Sequence, residues 1–187
     1  MLYYVYIDFK DGTFMWLNKK KKTGLTVLFV GGIILLAVIL IYAFTNGQPK
    51  TPATCQQVIT VLSDLGYAPS DTTSLYSEDD AQLKSSVSIE NKQIRFDFFE
   101  YDNEKDAAKV YSNACNQMLD YRSRYNVSHS EGYANYYMHS LKSSGVYYIT
   151  IRVGNTALYA YCDEDYMGEL GKILSEIGYS GNSDKDK

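Results

Sequence analysis

Hydrophobic side chains in this chain fall into one unbroken run and a series of short periodic stretches. The unbroken run is Thr23 to Thr45, TGLTVLFVGGIILLAVILIYAFT, and no charged residue or His occurs between Lys22 and Lys50. Leu25, Leu28, Ile33, Leu36, Ile39 and Ile41 spread around a helical wheel, which leaves no polar side to turn toward water. At about 1.5 Å rise per residue the run matches a hydrocarbon core roughly 30 Å thick, so it predicts a transmembrane helix. It exceeds the apolar region of a cleaved signal peptide, about 7 to 15 residues. Cys55, preceded by Pro52-Ala53-Thr54, lacks the apolar-small-small triplet of lipoprotein processing, so a retained anchor is expected.

Beyond residue 52 the pattern becomes periodic. Val58, Ile59, Leu62 and Leu65 recur at helical spacing, with Thr51 or Thr54 to cap the start and Gly66 to end it. Residues 67 to 84 read as a polar connection. Residues 85 to 99 predict a hairpin with Asn91-Lys92 at its turn, setting Ile89 against Ile94, Val87 against Phe96 and Ser85 against Phe98. Ser88 then faces Arg95, and Ser86 faces Asp97, on the other side. Asp102 or Asn103 opens a helix to about Tyr121 whose buried stripe is Ala107, Val110, Tyr111, Ala114, Met118 and Tyr121. Residues 122 to 131 read as a loop, followed by strands over about 133 to 139, 146 to 153 and 156 to 162. Gly154-Asn155 is the strongest turn signal, placing Val153 opposite Thr156, Ile151 opposite Leu158 and Ile149 opposite Ala160 on the core side. A last helix over 164 to 177 buries Met167, Leu170, Ile173, Leu174 and Ile177 and stops at Gly178. Val61 to Tyr67 and Ile173 to Tyr179 share one pattern, a helix end with Gly in the left-handed position.

The expected fold class is therefore α+β: an N-terminal transmembrane helix, then a mainly antiparallel sheet of about five strands with three helices on one face. Residues 1 to 22 form a short N-terminal segment, 46 to 52 a linker, 53 to 180 the domain and 181 to 187 a disordered tail. Residues 1 to 14 are expected to be a mis-called start or a disordered tail, since a chain beginning at Met15 reads MWLNKKKK and then the run.

Charge adds an orientation. Lys19, Lys20, Lys21 and Lys22 precede the run and only Lys50 closely follows it, which predicts a cytoplasmic N-terminus and an extracytoplasmic domain in the cell membrane. Residues 1 to 50 carry 6 Lys and Arg against 2 Asp and Glu, and residues 51 to 187 carry 12 against 20. An acidic domain is a poor nucleic-acid binder, so the expected partners are the bilayer through residues 23 to 45 and a protein or glycan outside. A lysine-rich start, one apolar run and a small Tyr/Ser/Asp-rich domain together resemble the uncharacterised single-pass membrane proteins of Gram-positive bacteria. That resemblance implies no activity.

Candidate chemistry is sparse. His129 lies in Ser-His-Ser-Glu and His139 near a strand end, and neither begins a metal motif such as HExxH. Glu78-Asp79-Asp80 lacks EF-hand spacing. Asn126-Val127-Ser128 matches the glycosylation sequon. Cys55, Cys115 and Cys162 lie in separate elements without CxxC and are expected to be free thiols. No catalytic, metal or cofactor residue is assigned. Tyrosine is the one compositional feature, 19 of 187 residues. The Gly154-Asn155 register puts Tyr148, Tyr159, Tyr161 and Arg152 on the non-core face, an aromatic platform able to stack on a sugar or anchor a protein, unless a helix covers it. The expected function is a membrane-anchored, non-catalytic binding module. The alternatives are a cell-envelope enzyme acting on wall polymer or peptide, and an accessory subunit of a membrane complex.

Overall fold

A computed structural model describes residues 6–7, 14–15, 32–37, 49–77 and 82–180. The chain divides into two compact units, Met1–Asn46 and Gly47–Lys187. In the first, Tyr6–Ile7 pairs antiparallel with Phe14–Met15, setting Tyr6 opposite Met15 and Ile7 opposite Phe14. Residues 32–37 are helical, with Ile33, Ile34, Leu35 and Leu36 exposed. The transmembrane helix expected over Thr23 to Thr45 is not found: among the described residues, no helix is long and apolar enough to cross a membrane. The stretch described as helix is six residues long. The single-pass anchor, the cytoplasmic N-terminus and the extracytoplasmic location argued from that helix fall with it. Lys19 to Lys22, the acidic run Glu78 to Asp80 and the tail 181–187 lie outside the described residues.

The second unit is built on a seven-stranded sheet. Its strands are β1 (Ser70–Asp71), β2 (Leu83–Glu90), β3 (Ile94–Tyr101), β4 (Asn126–Tyr133), β5 (Tyr136–Ser143), β6 (Val146–Val153) and β7 (Thr156–Asp163). They lie in the order β1-β2-β3-β7-β6-β5-β4, and every neighbouring pair is antiparallel. From β4 to β7 the chain meanders through eight-residue strands joined by two-residue connections. The connections need left-handed backbone: Ala134 (φ 48°), Ser144 (φ 56°), Gly145 (φ 82°) and Gly154 (φ 55°) supply it. The β6–β7 register is the one derived from Gly154-Asn155, with Ile151 opposite Leu158 and Tyr148 opposite Tyr161.

Two expectations about the sheet are corrected. It has seven strands rather than about five, because β4 lies in the stretch read as a loop and β1 in the stretch read as a polar connection. β4 sits at the sheet edge with Asn126 to Ser130 exposed on both sides, so it has no apolar alternation to betray it. The β2–β3 hairpin is shifted by two residues: Val87 faces Phe98, Ile89 faces Phe96 and Ser88 faces Asp97. The Asn91 side chain is the cause, since its Oδ1 accepts from the N–H groups of Gln93 (2.8 Å) and Ile94 (2.7 Å) and so lengthens the loop. A shift of two preserves the strand period, so the apolar and polar faces keep the expected residues.

Among the described residues four helices flank this sheet: α1 (Cys55–Asp64), α2 (Thr73–Tyr76), α3 (Glu104–Asp120) and α4 (Met167–Glu176). Thr54 and Gln57 form a capping box at α1, and Asn103 caps α3 by accepting from Lys105 and Asp106 N–H. α1 and α4 bring Val58, Leu62, Leu170, Ile173 and Leu174 onto one face, into a core with Val87, Ile89, Phe96, Phe98, Ile151 and Leu158. α3 packs on the opposite face, where Ala107 joins Leu83, Tyr101 and Ala157. The helices thus lie on both faces rather than one, because the second face also carries enough apolar area to hold a helix. α1 and α4 end alike. Tyr67 N–H reaches Leu62 C=O (2.9 Å) past Gly66 (φ 85°), and Tyr179 N–H reaches Leu174 C=O (2.7 Å) past Gly178 (φ 78°).

The segment before α1 is docked onto the sheet. Lys50 N–H donates to Asn135 Oδ1 (2.9 Å), Asn135 Nδ2 returns a bond to Lys50 C=O (2.8 Å), and Lys50 Nζ reaches the Gly178 and Ser180 carbonyls. Gly154 lies beneath this segment, and a Cβ built on it would stand 2.9 Å from Pro52 Cγ. Gly154→Ala is expected to destabilise by about 1–2 kcal/mol from left-handed backbone alone, with the clash added. A urea midpoint equal to that of the native chain would overturn both the backbone penalty and the clash.

Candidate binding surface

The face opposite the α1–α4 core carries a cluster of tyrosines. Strand period two puts Tyr148 on β6 and Tyr159 and Tyr161 on β7 together there, with Tyr148 directly opposite Tyr161. Tyr121, at the C-cap of α3, lies flat against Tyr148, with centroids 4.8 Å apart and planes 13° from parallel. Tyr148 meets Tyr161 at 5.9 Å, and Tyr161 meets Tyr159 at 6.1 Å. Four rings therefore form one continuous surface. Tyr121, expected inside the helix stripe, is 45% exposed, because it falls one residue past the last helical position, at the rim. The other three are half-buried. Burial, then the nearby Tyr121 phenol, pushes the Tyr148 and Tyr159 hydroxyls upward, so both stay protonated near neutral pH.

β3 borders this surface, with Arg95 opposite Tyr161 and Asp97 opposite Tyr159. Asp97 is buried and accepts from Ser88 Oγ (2.6 Å) and Arg95 Nε (2.9 Å), and Arg95 also reaches Glu90 (3.1 Å). Hydrogen bonding to Asp97 and its charge raise the Arg95 guanidinium further. The rings thus lie beside an ordered charged strip. Arg152 shares the face but not the cluster. It stacks on Tyr137 (4.4 Å to the centroid), which in turn meets Tyr111 of α3 at 6.4 Å. Tyr121, Arg95 and Asp97 are the members that sequence reasoning missed. β3 and α3 come beside β7 only through tertiary pairing, and the single local signal was the excess of Tyr itself.

The other candidates do not converge. His129 and His139 point to opposite faces of the sheet, and His139 Nδ1 bonds Ser130 Oγ at 2.7 Å. Burial, then the Arg122 and His129 charges, holds His139 below its ordinary value. Among the described residues, no three His, Cys, Asp or Glu side chains group as metal ligands. Cys55, Cys115 and Cys162 are free, and burial raises all three thiols, Cys162 to about 11, so they are poor nucleophiles at neutral pH. Glu100 is a buried carboxylate at the N-terminus of α1, accepting from Cys55 N–H (3.0 Å), Lys84 Nζ (2.5 Å) and Ser85 Oγ (3.3 Å). Its oxygens are occupied by the fold. A recess of about 180 Å³ between α4 and the core face is lined by Met138, Ile149, Met167 and Leu174, with Ser140 and His129 as polar members.

Comparison with known proteins adds little to this geometry. No family model matches the chain, and no curated protein matches it. Among solved structures the chain is similar to the crystal structure of a GTP binding regulator from Thermotoga maritima, at 12% identity, covering 70% of this chain and 88% of that one, with a TM-score of 0.38. A likeness this loose carries no argument about what this chain binds.

Proposed function

We propose that the second unit is a binding module that works without catalysis and holds a partner protein on Tyr121, Tyr148, Tyr159 and Tyr161. One observation carries the reading: four contacting rings, partly open to solvent, beside an ion-paired strip whose charges are already satisfied. Tyrosine suits this use because its ring offers apolar area at low entropic cost while its hydroxyl tolerates a wet rim. Four rings in successive contact span more than a single sugar ring covers, which favours a protein partner.

The test is affinity capture with the full chain from a native cell extract, with a panel of soluble glycans run in parallel. Tyr121→Ala and Tyr161→Ala are each expected to lower recovery of a protein partner by about tenfold, the weight of a central aromatic anchor. Their urea midpoints should stay close to the native value, since both rings are partly exposed. Capture indifferent to both substitutions sinks the proposal, as does tyrosine-dependent binding confined to glycans.

A further inference from the structure

The two edges of the seven-stranded sheet are built differently. At the β1 edge the outward groups of β2 are already taken: Thr72 N–H donates to Ser86 C=O (3.1 Å), and Ser86 N–H donates to Thr73 Oγ1 (2.9 Å). β1 itself is only two residues long and runs on into α2. β4, at the other edge, pairs with β5 at all eight positions without a bulge, and among the described residues no strand lies on its outer side. It carries no Pro and no Lys, the residues that usually blunt such an edge.

Which backbone groups point outward follows from the turn. The 134–135 connection makes Tyr133 and Tyr136 the bonded pair closest to it, so odd-numbered residues of β4 direct N–H and C=O to β5. Asn126, Ser128, Ser130 and Gly132 then direct theirs away from the sheet. A strand pairing here must match those even positions.

We propose that β4 is a self-association edge: two copies of this chain pair antiparallel through Asn126–Tyr133 about Ser130, joining two sheets into one. In this register Ser130 bonds its own counterpart, and Ser128 bonds Gly132 of the second copy, all outward-directed positions. His129 falls opposite Glu131, and Val127 falls opposite Tyr133, in the closer non-bonded pairs, and symmetry makes each pair twice. The core face of the seam thus matches an imidazole donor to a carboxylate and an exposed aliphatic side chain to a half-buried ring. Moving the centre to Ser128 sets His129 opposite Val127, and moving it to Gly132 sets Glu131 opposite Tyr133, so neighbouring registers lose the match. The two-fold axis stands perpendicular to the sheet, which keeps both tyrosine surfaces on one side of the dimer.

Sedimentation of the full chain over a range of concentrations tests this. The native chain is expected to dimerise reversibly, and Ser130→Pro, which removes an outward N–H and no ladder bond, to sediment as monomer. His129→Glu opposes like charges twice and should weaken the dimer by about tenfold, and adding Glu131→Lys should restore most of the loss. The His129→Glu pair of variants keeps the test decisive if Ser130→Pro misfolds, and circular dichroism reports that. A native chain monomeric at every concentration overturns the proposal. So does a dimer indifferent to Ser130→Pro and His129→Glu, because it would assemble through another surface, and so does an unrelated extended peptide that binds β4 while the native chain stays monomeric.

Discussion

Tyr179→Ala is expected to cost about 3–5 kcal/mol of unfolding free energy, the range for removing a fully buried aromatic side chain. Tyr179 is completely buried at the end of α4, its ring tilted against Phe98 at 6.0 Å. Its hydroxyl accepts from Ala53 N–H (3.0 Å) and shares a 2.5 Å bond with Thr156 Oγ1, while the Tyr136 hydroxyl donates to its carbonyl (3.3 Å). One side chain therefore ties the segment before α1, two strands and the C-terminal helix together. Tyr179→Phe separates ring from hydroxyl. It leaves the buried Ala53 N–H without that acceptor, for an expected loss of about 1–3 kcal/mol. The phenol also sets an alkaline limit. Burial pushes it up to about 12 in the folded chain, against about 10 unfolded. The folded state thus holds its proton longer, and stability falls as pH rises from the unfolded value toward the folded one. Urea titrations between neutral and alkaline pH should show that fall in the native chain and a shallower one in Tyr179→Phe. Equal slopes would show that Tyr179 does not govern it.

Glu100→Ala is the second large effect, about 1.5–3 kcal/mol, because it removes a charged acceptor of several hydrogen bonds from a buried site. Burial alone would raise the Glu100 carboxyl. Hydrogen bonds from Lys84, Cys55 N–H and Ser85, with the Lys84 charge, outweigh it and hold the group below the usual carboxylate range. The carboxylate also stands at the N-terminus of α1, where the helix dipole favours negative charge. With the folded value depressed, this stabilisation is fully present above the unfolded value of about 4.3 and is lost as pH falls through the folded one. Glu100→Gln keeps an acceptor for Cys55 N–H but loses the titration. Its urea midpoint should be less sensitive to pH below about 5 than that of the native chain. An identical acid dependence would assign acid unfolding to other carboxylates.

What could be read from the chain depended on whether the signal was local. The β6–β7 hairpin was legible because Gly154-Asn155 closes it and both strands alternate cleanly, so turn and pattern agree on one register. The ends of α1 and α4 were legible because Gly66 and Gly178 are followed by tyrosines that pack back. β4 was illegible for the reason that makes it interesting as an edge: a strand solvated on both faces encodes no face. The β2–β3 register was off by two because the Asn91 side chain reshapes the loop, a preference that competes with the two-residue turn. For the candidate surface, strand parity placed Tyr148, Tyr159 and Tyr161 together. It could not exclude Arg152, since parity reports a face and not a distance, and four residues along a strand span about 13 Å.

By itself the sequence determined the starts of α1 and α3, the glycines at 66, 154 and 178 that take left-handed backbone, and the inward side of β2, β3, β6 and β7, because these depend on residues within a few positions of one another. Only the tertiary structure decided that β3 lies beside β7, that α3 takes the tyrosine face and sets Tyr121 on Tyr148, and that β4 is left at the edge. Those outcomes come from closing loops of many residues against competing pairings, and their free energy resides in contacts between segments that carry no mark of each other. The apolar run at Thr23 to Thr45 marks the same boundary from the other side. Its composition is local and unmistakable, yet among the described residues no helix is long and apolar enough to cross a membrane.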